Sequence, residues 1–474
     1  MLPPVAGIFA SSRRQADPVA PAVPAKFSIR GLIKWPVAVG VVGALALAGW
    51  VTLEVRGSAA QARLLSRAAS GMSFSLQPGV ASNIMFLEAG PYDERLGYTA
   101  IPKFVERLGK QGFRIDRQAE MTPALQSFVA RGGYAVYREK NQAGLSILDR
   151  DGTPLYRKVY PDAAYASFAD VPQLVVNALL FIEDRELLDP RFPAKNPAVD
   201  WDRFTIAAAS RLIGLEGTGT VRGGASTLAT QLEKFRHSPG GRTGSSEEKL
   251  RQMATASVRA YMNGPDSMAS RKRVVVDYLN STPIGSRAGF GEINGISDGL
   301  KVWYGTDFAE VNKLLTGANR SKADVARAGL VYKQVLSLLI SQRRPAHYLR
   351  TDLSALDRVA NTYIALLQQD GTLPADIARA ARAAKLQVSK NAPLLVQPQF
   401  TDRKAVDDIR TDLLTTLDVP GLYSLDRLDL SVRSTIDRSA QAGVVTALKK
   451  ITTPQGAQEL GFVGTNLLDN NVDP

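Results

Sequence analysis

The feature that most restricts the fold is an uncharged run near the N-terminus, from Trp35 to Leu53. Its length of about nineteen residues is enough to cross a bilayer, where only a helix satisfies the backbone groups of a single segment. Basic residues precede the run, which predicts a cytoplasmic N-terminus: Arg13, Arg14, Lys26, Arg30 and Lys34. We therefore predict a disordered cytoplasmic tail at residues 1–34 and a membrane anchor at residues 35–55. A cleaved signal peptide is the alternative, but its apolar core would be shorter.

The composition of the whole chain restricts the functions that it can have. A formal net charge of +13 favours anionic partners such as phosphates, anionic lipids or nucleic acid, although the anchor argues against nucleic acid. The absence of cysteine excludes disulfides, thiol catalysis and cysteine-based zinc sites. The only histidines, His237 and His347, argue against a site built from several histidines.

A second apolar run, Leu174 to Ile182, predicts a helix that is buried on nearly every side. Asp170 can cap its start. Glu183, Asp184 and Arg185 follow the run directly. A carboxylate at the end of a buried helix is costly unless it is paired or faces a cleft, and a partly desolvated carboxylate is a candidate general base. The alternative is a surface pair of Asp184 with Arg185, with Glu183 as a terminal charge.

A glycine-rich turn opens a second block at residues 223–234. Ser226, Thr227, Gln231 and Lys234 offer hydroxyl, amide and ammonium donors at the start of a predicted helix. Such a cluster suits an anionic ligand such as a phosphate, because glycine lets a backbone approach a ligand closely. The alternative is a simple Ser/Thr helix cap after a turn.

Further blocks follow in order. Ser245 and Glu248 have capping-box spacing, and Lys249 and Gln252 share one face of the helix that follows. Asn280 then ends a Tyr-Leu-Asn sequence that is followed by a series of glycines, by Trp-Tyr-Gly at residues 303–305 and by a leucine-rich helix that ends near Pro345.

In this order and spacing, the blocks resemble the family 51 glycosyltransferases, the peptidoglycan polymerase domains of class A penicillin-binding proteins. The resemblance covers roughly residues 145–390. It implies a mainly α, lysozyme-like domain with a cleft between two lobes. It also implies a location at the bacterial inner membrane, with the catalytic domain outside the cytoplasm, and a role in cell-wall synthesis beside other proteins of that machinery.

The reaction implied by the resemblance joins lipid II units into β-1,4 glycan strands with inversion and release of polyprenyl pyrophosphate. Glu183 matches the family's catalytic carboxylate and is the predicted base. The implied partners are lipid II and the nascent strand. The predicted substrate-binding residues are Arg185, Ser226, Thr227, Gln231, Lys234, Arg242, Lys249, Gln252 and Asn280.

Gln252 departs from the family pattern, which has a glutamate there that is thought to orient the donor phosphates, in some members through a divalent cation. An amide can still bind a phosphate but is a poor metal ligand. Mg²⁺ is therefore only a possible cofactor, and no metal ligands are assigned. On this basis Gln252→Glu is expected to preserve or raise activity and to increase the response to magnesium.

Two alternative functions remain open. One is a non-catalytic protein that binds lipid II or glycan and acts as a scaffold for other cell-wall enzymes, and Gln252 is its main support. The other is a lysozyme-like enzyme that cleaves glycan. Lys234, Arg242 and Lys249 argue against cleavage, because their charges suit a pyrophosphate.

The segments on either side of the blocks have weaker patterns. Residues 56–143 predict a small α+β module that acts as a pedestal or docks a partner. Residues 144–390 predict the glycosyltransferase domain, which opens with a hairpin at residues 145–156. The predicted module contains strands at Asn83–Leu87 and Tyr134–Tyr137 and helices at Thr99–Gly112 and Met121–Ala130. The predicted domain helices are Trp201–Leu212, Glu247–Met262, Arg271–Leu279, Lys322–Gln342, Leu353–Gln369 and Pro374–Leu386.

Residues 391–474 predict a linker, a strand at Leu428–Asp437 and a helix at Ser439–Ile451. This order resembles the entry to a transpeptidase region. The only Ser-x-x-Lys sequence, however, begins at Ser246, inside the block already described, and no partner motifs follow it. We therefore predict the start of a transpeptidase-like region without its catalytic motifs.

Overall fold

The computed structural model describes residues 29–82, 84–200, 226–317, 321–390 and 400–462. The chain divides into two compact units, residues 1–53 and residues 54–474. Helix α1 (Ile29–Gly57) contains the segment Val39–Gly57, which among the described residues is the one stretch long and apolar enough to cross a membrane. The segment overlaps the predicted anchor. Most of the predicted N-terminal tail lies outside the described residues.

The second unit begins with a small α+β region. Strands β1 and β2 pair antiparallel, with Phe74 opposite Met121. The helices predicted here are confirmed. The elements are α2 (Ala59–Ala69), β1 (Phe74–Pro78), α3 (Pro91–Arg95), α4 (Ile101–Lys110), β2 (Arg117–Met121) and α5 (Pro123–Ala130).

Both strands that the sequence predicted in this region are wrong. Residues 84–87 are irregular, and Asn83 lies outside the described residues. Residues 134–137 are also irregular, and Tyr134–Val136 are buried. The backbone N–H of Tyr134 donates to Thr255 Oγ1 at 3.0 Å. This apolar segment is therefore buried against the helix that carries Thr255 and Val258, and it is not part of a strand.

The larger part of the second unit is helical, as predicted. Its central helix is α12 (Lys322–Ser341), in which every residue from Val331 to Ser341 is buried. The helices that pack against it are α6 (Gln173–Glu183), α11 (Phe308–Thr316), α13 (Leu353–Gln369) and α14 (Ala375–Ala383). The predicted helix Trp201–Leu212 lies outside the described residues. The elements are α6 (Gln173–Glu183), α7 (Leu228–His237), α8 (Ser246–Ala260), α9 (Met268–Ser281), β5 (Pro283–Arg287), β6 (Gly291–Asn294), α10 (Gly295–Gly299), α11 (Phe308–Thr316), α12 (Lys322–Ser341), α13 (Leu353–Gln369) and α14 (Ala375–Ala383).

The start of α6 differs from the prediction. Asp170 does not cap it. Instead, the Asp170 carboxylate accepts hydrogen bonds from the backbone and hydroxyl of Ser167 and closes a separate 3-10 turn, Phe168–Asp170. Helix α6 begins at Gln173. Pro172 precedes it as the N-cap residue with a non-helical backbone, and it has no N–H to leave unpaired.

The C-terminal residues add a strand to the predicted hairpin. Strands β3 (Leu145–Leu148) and β4 (Pro154–Arg157) pair antiparallel as expected, and β7 (Leu430–Arg433) adds in parallel to the other edge of β3. The predicted strand at 428–437 is thus shorter than expected, and the predicted helix that follows it is present. The helices of this part are α15 (Phe400–Leu417), α16 (Leu422–Leu425), α17 (Arg438–Ile451) and α18 (Pro454–Glu459).

Candidate active site

Glu183, the predicted base, is the last residue of α6. The helix packs into the core through Val175 and Leu179, and its C-terminal end meets a cleft. Glu183 is only 8 % exposed. Its Oε2 accepts a hydrogen bond from Gln231 Nε2 at 2.9 Å, and its Oε1 accepts one from Arg343 Nη2 at 3.2 Å. These partners offset the cost of burying the carboxylate and fix its direction.

The sequence did not assign roles to the partners from α12 and α9. Gln342 Nε2 lies 3.3 Å from Glu183 Oε1, and the Tyr278 hydroxyl lies 3.4 Å from Gln231 Oε1. Gln342 and Arg343 follow the leucine-rich helix that was part of the recognised pattern. In the sequence, the signal that they reach the cleft is their position directly after the last buried turn of this helix.

The cleft has a volume of about 1,100 Å³. Four of the predicted binding residues line it together with Glu183: Ser226, Gln231, Lys234 and Arg242. Helix α7 supplies Gln231 and Lys234 from one face, and the turn after α7 supplies Arg242. The structure thus brings the predicted base and two of the predicted cations, Lys234 and Arg242, to one cavity.

Thr227 and Arg185 lie on a neighbouring cavity of about 280 Å³ that shares Glu183 with the cleft. Thr227 caps α7, since its hydroxyl accepts a hydrogen bond from the Thr230 backbone N–H at 3.3 Å. The Arg185 guanidinium stacks on Phe181, 3.8 Å from the ring centroid. The capping alternative therefore describes Thr227, and Arg185 faces a different cavity from the predicted cations.

Lys249, on α8, does not line the cleft but contacts Ser226, which does. Its Nζ donates to Ser226 Oγ at 2.8 Å and lies 3.4 Å from Thr230 Oγ1. Burial, together with the neighbouring Lys234 ammonium, lowers the pKa of Lys249 to about 8. Burial also lowers the pKa of Lys234, although Glu183 opposes this. Two desolvated ammonium groups that repel each other form a site that an anion stabilises.

Asn280 does not line the cleft in the described part of the chain. Its amide holds the backbone of Tyr165 through two hydrogen bonds of 2.9 Å, one to the carbonyl and one from the N–H. The Asn280 backbone is also approached closely by Gly295, where a Cβ would lie 2.4 Å from the carbonyl oxygen. In the described residues, Asn280 therefore joins the start of the domain to α9, and its backbone packs against the first residue of α10.

Gln252 is fully buried beneath the cleft and shares no ligand-facing surface with Lys249. Its Nε2 donates to Ser238 Oγ at 2.9 Å and to Thr243 Oγ1 at 3.0 Å. The Ser238 hydroxyl lies 2.8 Å from the Tyr134 hydroxyl. The Thr243 hydroxyl also lies within donating distance of Gln252 Oε1, at 3.2 Å. The glutamine thus ties α8 to the turn after α7 and to the N-terminal α+β region.

This geometry predicts that Gln252→Glu also affects stability, while its effect on activity and on the magnesium response stays a prediction. The Ser238 and Thr243 hydroxyls can turn and donate to a carboxylate, but a negative charge at a fully buried position is costly. We therefore expect the free energy of unfolding to fall by about 1–3 kcal/mol. Urea denaturation of the purified protein measures this. Gln369→Glu, on the exposed surface of α13, is the matched control and should change stability little. An equally stable Gln252→Glu protein would contradict the structural role.

The described residues do not fit a metal held by the protein. Among them, no group of three or more His, Asp or Glu side chains is placed to hold an ion. Gln252 has its donors occupied, and the Glu183 carboxylate already contacts the Arg343 cation. No step of the chemistry below is assigned to a metal.

The comparison with known protein families matches the part of the chain that contains this site. Residues 151–368 match the family model described as Transglycosylase, and this segment contains every cleft residue predicted from the sequence. No curated protein shows significant similarity to the chain. The match supports a glycosyltransferase of the peptidoglycan type in general. Residues 151–368 therefore form a transglycosylase domain and belong to glycosyltransferase family 51.

Proposed function

We propose that the chain is a membrane-anchored peptidoglycan glycosyltransferase that polymerises lipid II and releases polyprenyl pyrophosphate. The observation that carries the proposal is the pairing, on one cleft, of the oriented Glu183 carboxylate with the Lys234 ammonium, which has Lys249 beside it. A reaction between a sugar hydroxyl and a glycosyl pyrophosphate needs a base at one end and positive charge at the other.

In the proposed reaction, the 4-hydroxyl of one sugar attacks the anomeric carbon of another from the face opposite the pyrophosphate. Glu183 accepts the hydroxyl proton as the new carbon–oxygen bond forms and the bond to the pyrophosphate oxygen breaks. Gln231 and Arg343 hold the carboxylate in place. The cations Lys234, Arg242 and Lys249 stabilise the negative charge that builds up on the departing pyrophosphate.

The proposal places the protein at the bacterial inner membrane. The apolar segment Val39–Gly57 supports an anchor, and the basic residues before it support a cytoplasmic N-terminus. The domain would then lie outside the cytoplasm, beside its lipid-linked donor. Its partners would be lipid II, the nascent strand and other proteins of cell-wall synthesis.

Polymerisation of labelled lipid II by the full chain in detergent tests this function. Wild-type protein should convert lipid II to glycan strands, with release of polyprenyl pyrophosphate. Saturable lipid II binding without strands would overturn catalysis and favour a non-catalytic scaffold. The scaffold alternative rested on Gln252, and the buried position of this residue does not favour it.

The affinity of the cleft for a pyrophosphate should depend on pH through Lys249. Its pKa is about 8 in the free protein, and a bound anion favours the ammonium and raises that value. Affinity is therefore constant below the free pKa and falls as pH rises through it, by up to about tenfold per pH unit until the pKa of the complex is reached. Farnesyl pyrophosphate binding, titrated from pH 6 to pH 10, measures this.

Lys249→Arg is the control for that titration, because a guanidinium stays charged over the whole range. The affinity of Lys249→Arg should change less with pH than that of the wild type. The ionisation of the ligand affects both proteins equally, so it does not account for the difference. Identical profiles would show that Lys249 does not sense the bound anion.

A further inference from the structure

Part of the lining of the cleft comes from outside the matched domain. Pro91, Tyr92 and Arg95 of α3 line the same cavity as Glu183. They belong to the N-terminal α+β region, and the family match begins only at residue 151. The cleft of this chain is therefore completed by a segment that the sequence predicted to be a pedestal or a docking module.

Helix α3 is fixed against α7 by close packing and buried charge. Gly90 has a φ of 120°, and a Cβ at this position would lie 2.3 Å from the Arg236 carbonyl oxygen. Asp93 and Glu139 contact the two ring nitrogens of His237 at 2.7 Å and 3.0 Å. These carboxylates outweigh burial and raise the pKa of His237 to about 9, so the ring is a cation at neutral pH. The position of α3 on the cleft is thus set by the end of the helix that carries Lys234.

Arg95 is the charged residue that α3 brings to the cavity. Its side chain is 18 % exposed, and its ion-pair partner within the described chain, Glu292, lies 3.9 Å away with a side chain that is 59 % exposed. Burial lowers the pKa of Arg95 despite Glu292, which agrees with a charge that the protein only partly compensates. A carboxylate of a ligand can displace Glu292, because that partner is distant and exposed. A partly buried guanidinium such as that of Arg95 gains strongly from a bidentate contact with a carboxylate.

We propose that Arg95 forms a binding subsite for a carboxylate group carried by the glycan substrate, on the peptide attached to its sugars. The neighbouring side chains that line the cavity, Ser286 and Asn294, offer hydroxyl and amide groups of the kind that bind sugar hydroxyls. The subsite would hold a sugar unit of the strand against α3 while the reacting end lies at Glu183. This inference rests on the proposed function, because it assigns the ligand class from that reaction.

Binding of a soluble tetrasaccharide with peptide substituents tests the subsite directly. Two probes are compared, one with free peptide carboxylates and one in which all of them are converted to methylamides. Wild-type protein should bind the free acid about ten- to hundredfold more tightly, as expected for a charged hydrogen bond. Arg95→Gln should bring the ratio close to one, and Arg95→Lys should restore part of it.

Arg114→Gln is the matched control, since this exposed arginine belongs to the same region and does not line the cleft. It should keep the wild-type ratio. A ratio that is unchanged in Arg95→Gln, or absent in the wild type, overturns the subsite. Lipid II polymerisation is read separately: a wild type that discriminates between the probes but makes no strands would overturn the proposed reaction and leave the carboxylate subsite standing.

Discussion

Glu183→Gln should reduce lipid II polymerisation by roughly 10²–10⁴-fold, the range that a general base contributes. The amide keeps the size of the carboxylate and can still contact Gln231, but it cannot accept the proton of the attacking hydroxyl. The ion pair that it removes is with Arg343, whose side chain is 60 % exposed, so the fold should remain intact. Initial rates of strand formation at saturating lipid II, together with the thermal midpoint, measure both effects.

Glu186→Gln is the control for this variant. Glu186 lies three residues later, is mostly exposed, and pairs with Lys195 at 2.7 Å. Its loss should leave polymerisation near the wild-type rate. A Glu183→Gln protein that polymerises as fast as Glu186→Gln would show that another group accepts the proton.

Arg259→Met should lower the free energy of unfolding by about 3–5 kcal/mol, because it leaves buried carboxylates without their principal cation. Arg259 Nε donates to Glu233 Oε1 at 2.7 Å, and its Nη2 lies 2.7 Å from Glu139 Oε1. Both carboxylates are almost fully buried. Since Glu139 belongs to the N-terminal region and Glu233 to α7, the same change should also loosen α3 from the cleft. Urea denaturation measures the stability, and limited proteolysis measures the loosening.

Arg327→Met provides the comparison for an exposed ion pair. Arg327 binds Glu310 at 2.8 Å, but both side chains are about 40 % exposed, at 41 % and 39 %. Its removal should cost about 1 kcal/mol or less. Equal stability losses in the two variants would mean that the buried cluster around Arg259 does not hold the N-terminal region to the transglycosylase domain.

Elements with a strong local pattern were predictable from the sequence. The apolar run before Glu183 predicts a buried helix, and α6 ends at Glu183 as expected. The Asp-Gly turn at residues 151–152 likewise gave the β3–β4 hairpin. Strand β1 was missed because most of its residues are exposed and do not alternate between apolar and polar. The apolar residues 134–137 were mistaken for a strand because burial, not strand pairing, explains their composition.

The sequence by itself determined the family of residues 151–368, because their motifs keep the order and spacing of a transglycosylase domain. Only the tertiary structure decided which residues share the cleft. Gln252 faces Ser238 and Thr243 and not the cavity, since its direction depends on a turn that packs beneath it. Arg95 joins the site although it lies far away in the sequence, because buried charges dock α3 on α7. Local periodicity encodes helices and caps, whereas contacts between distant segments arise only when their surfaces pack together.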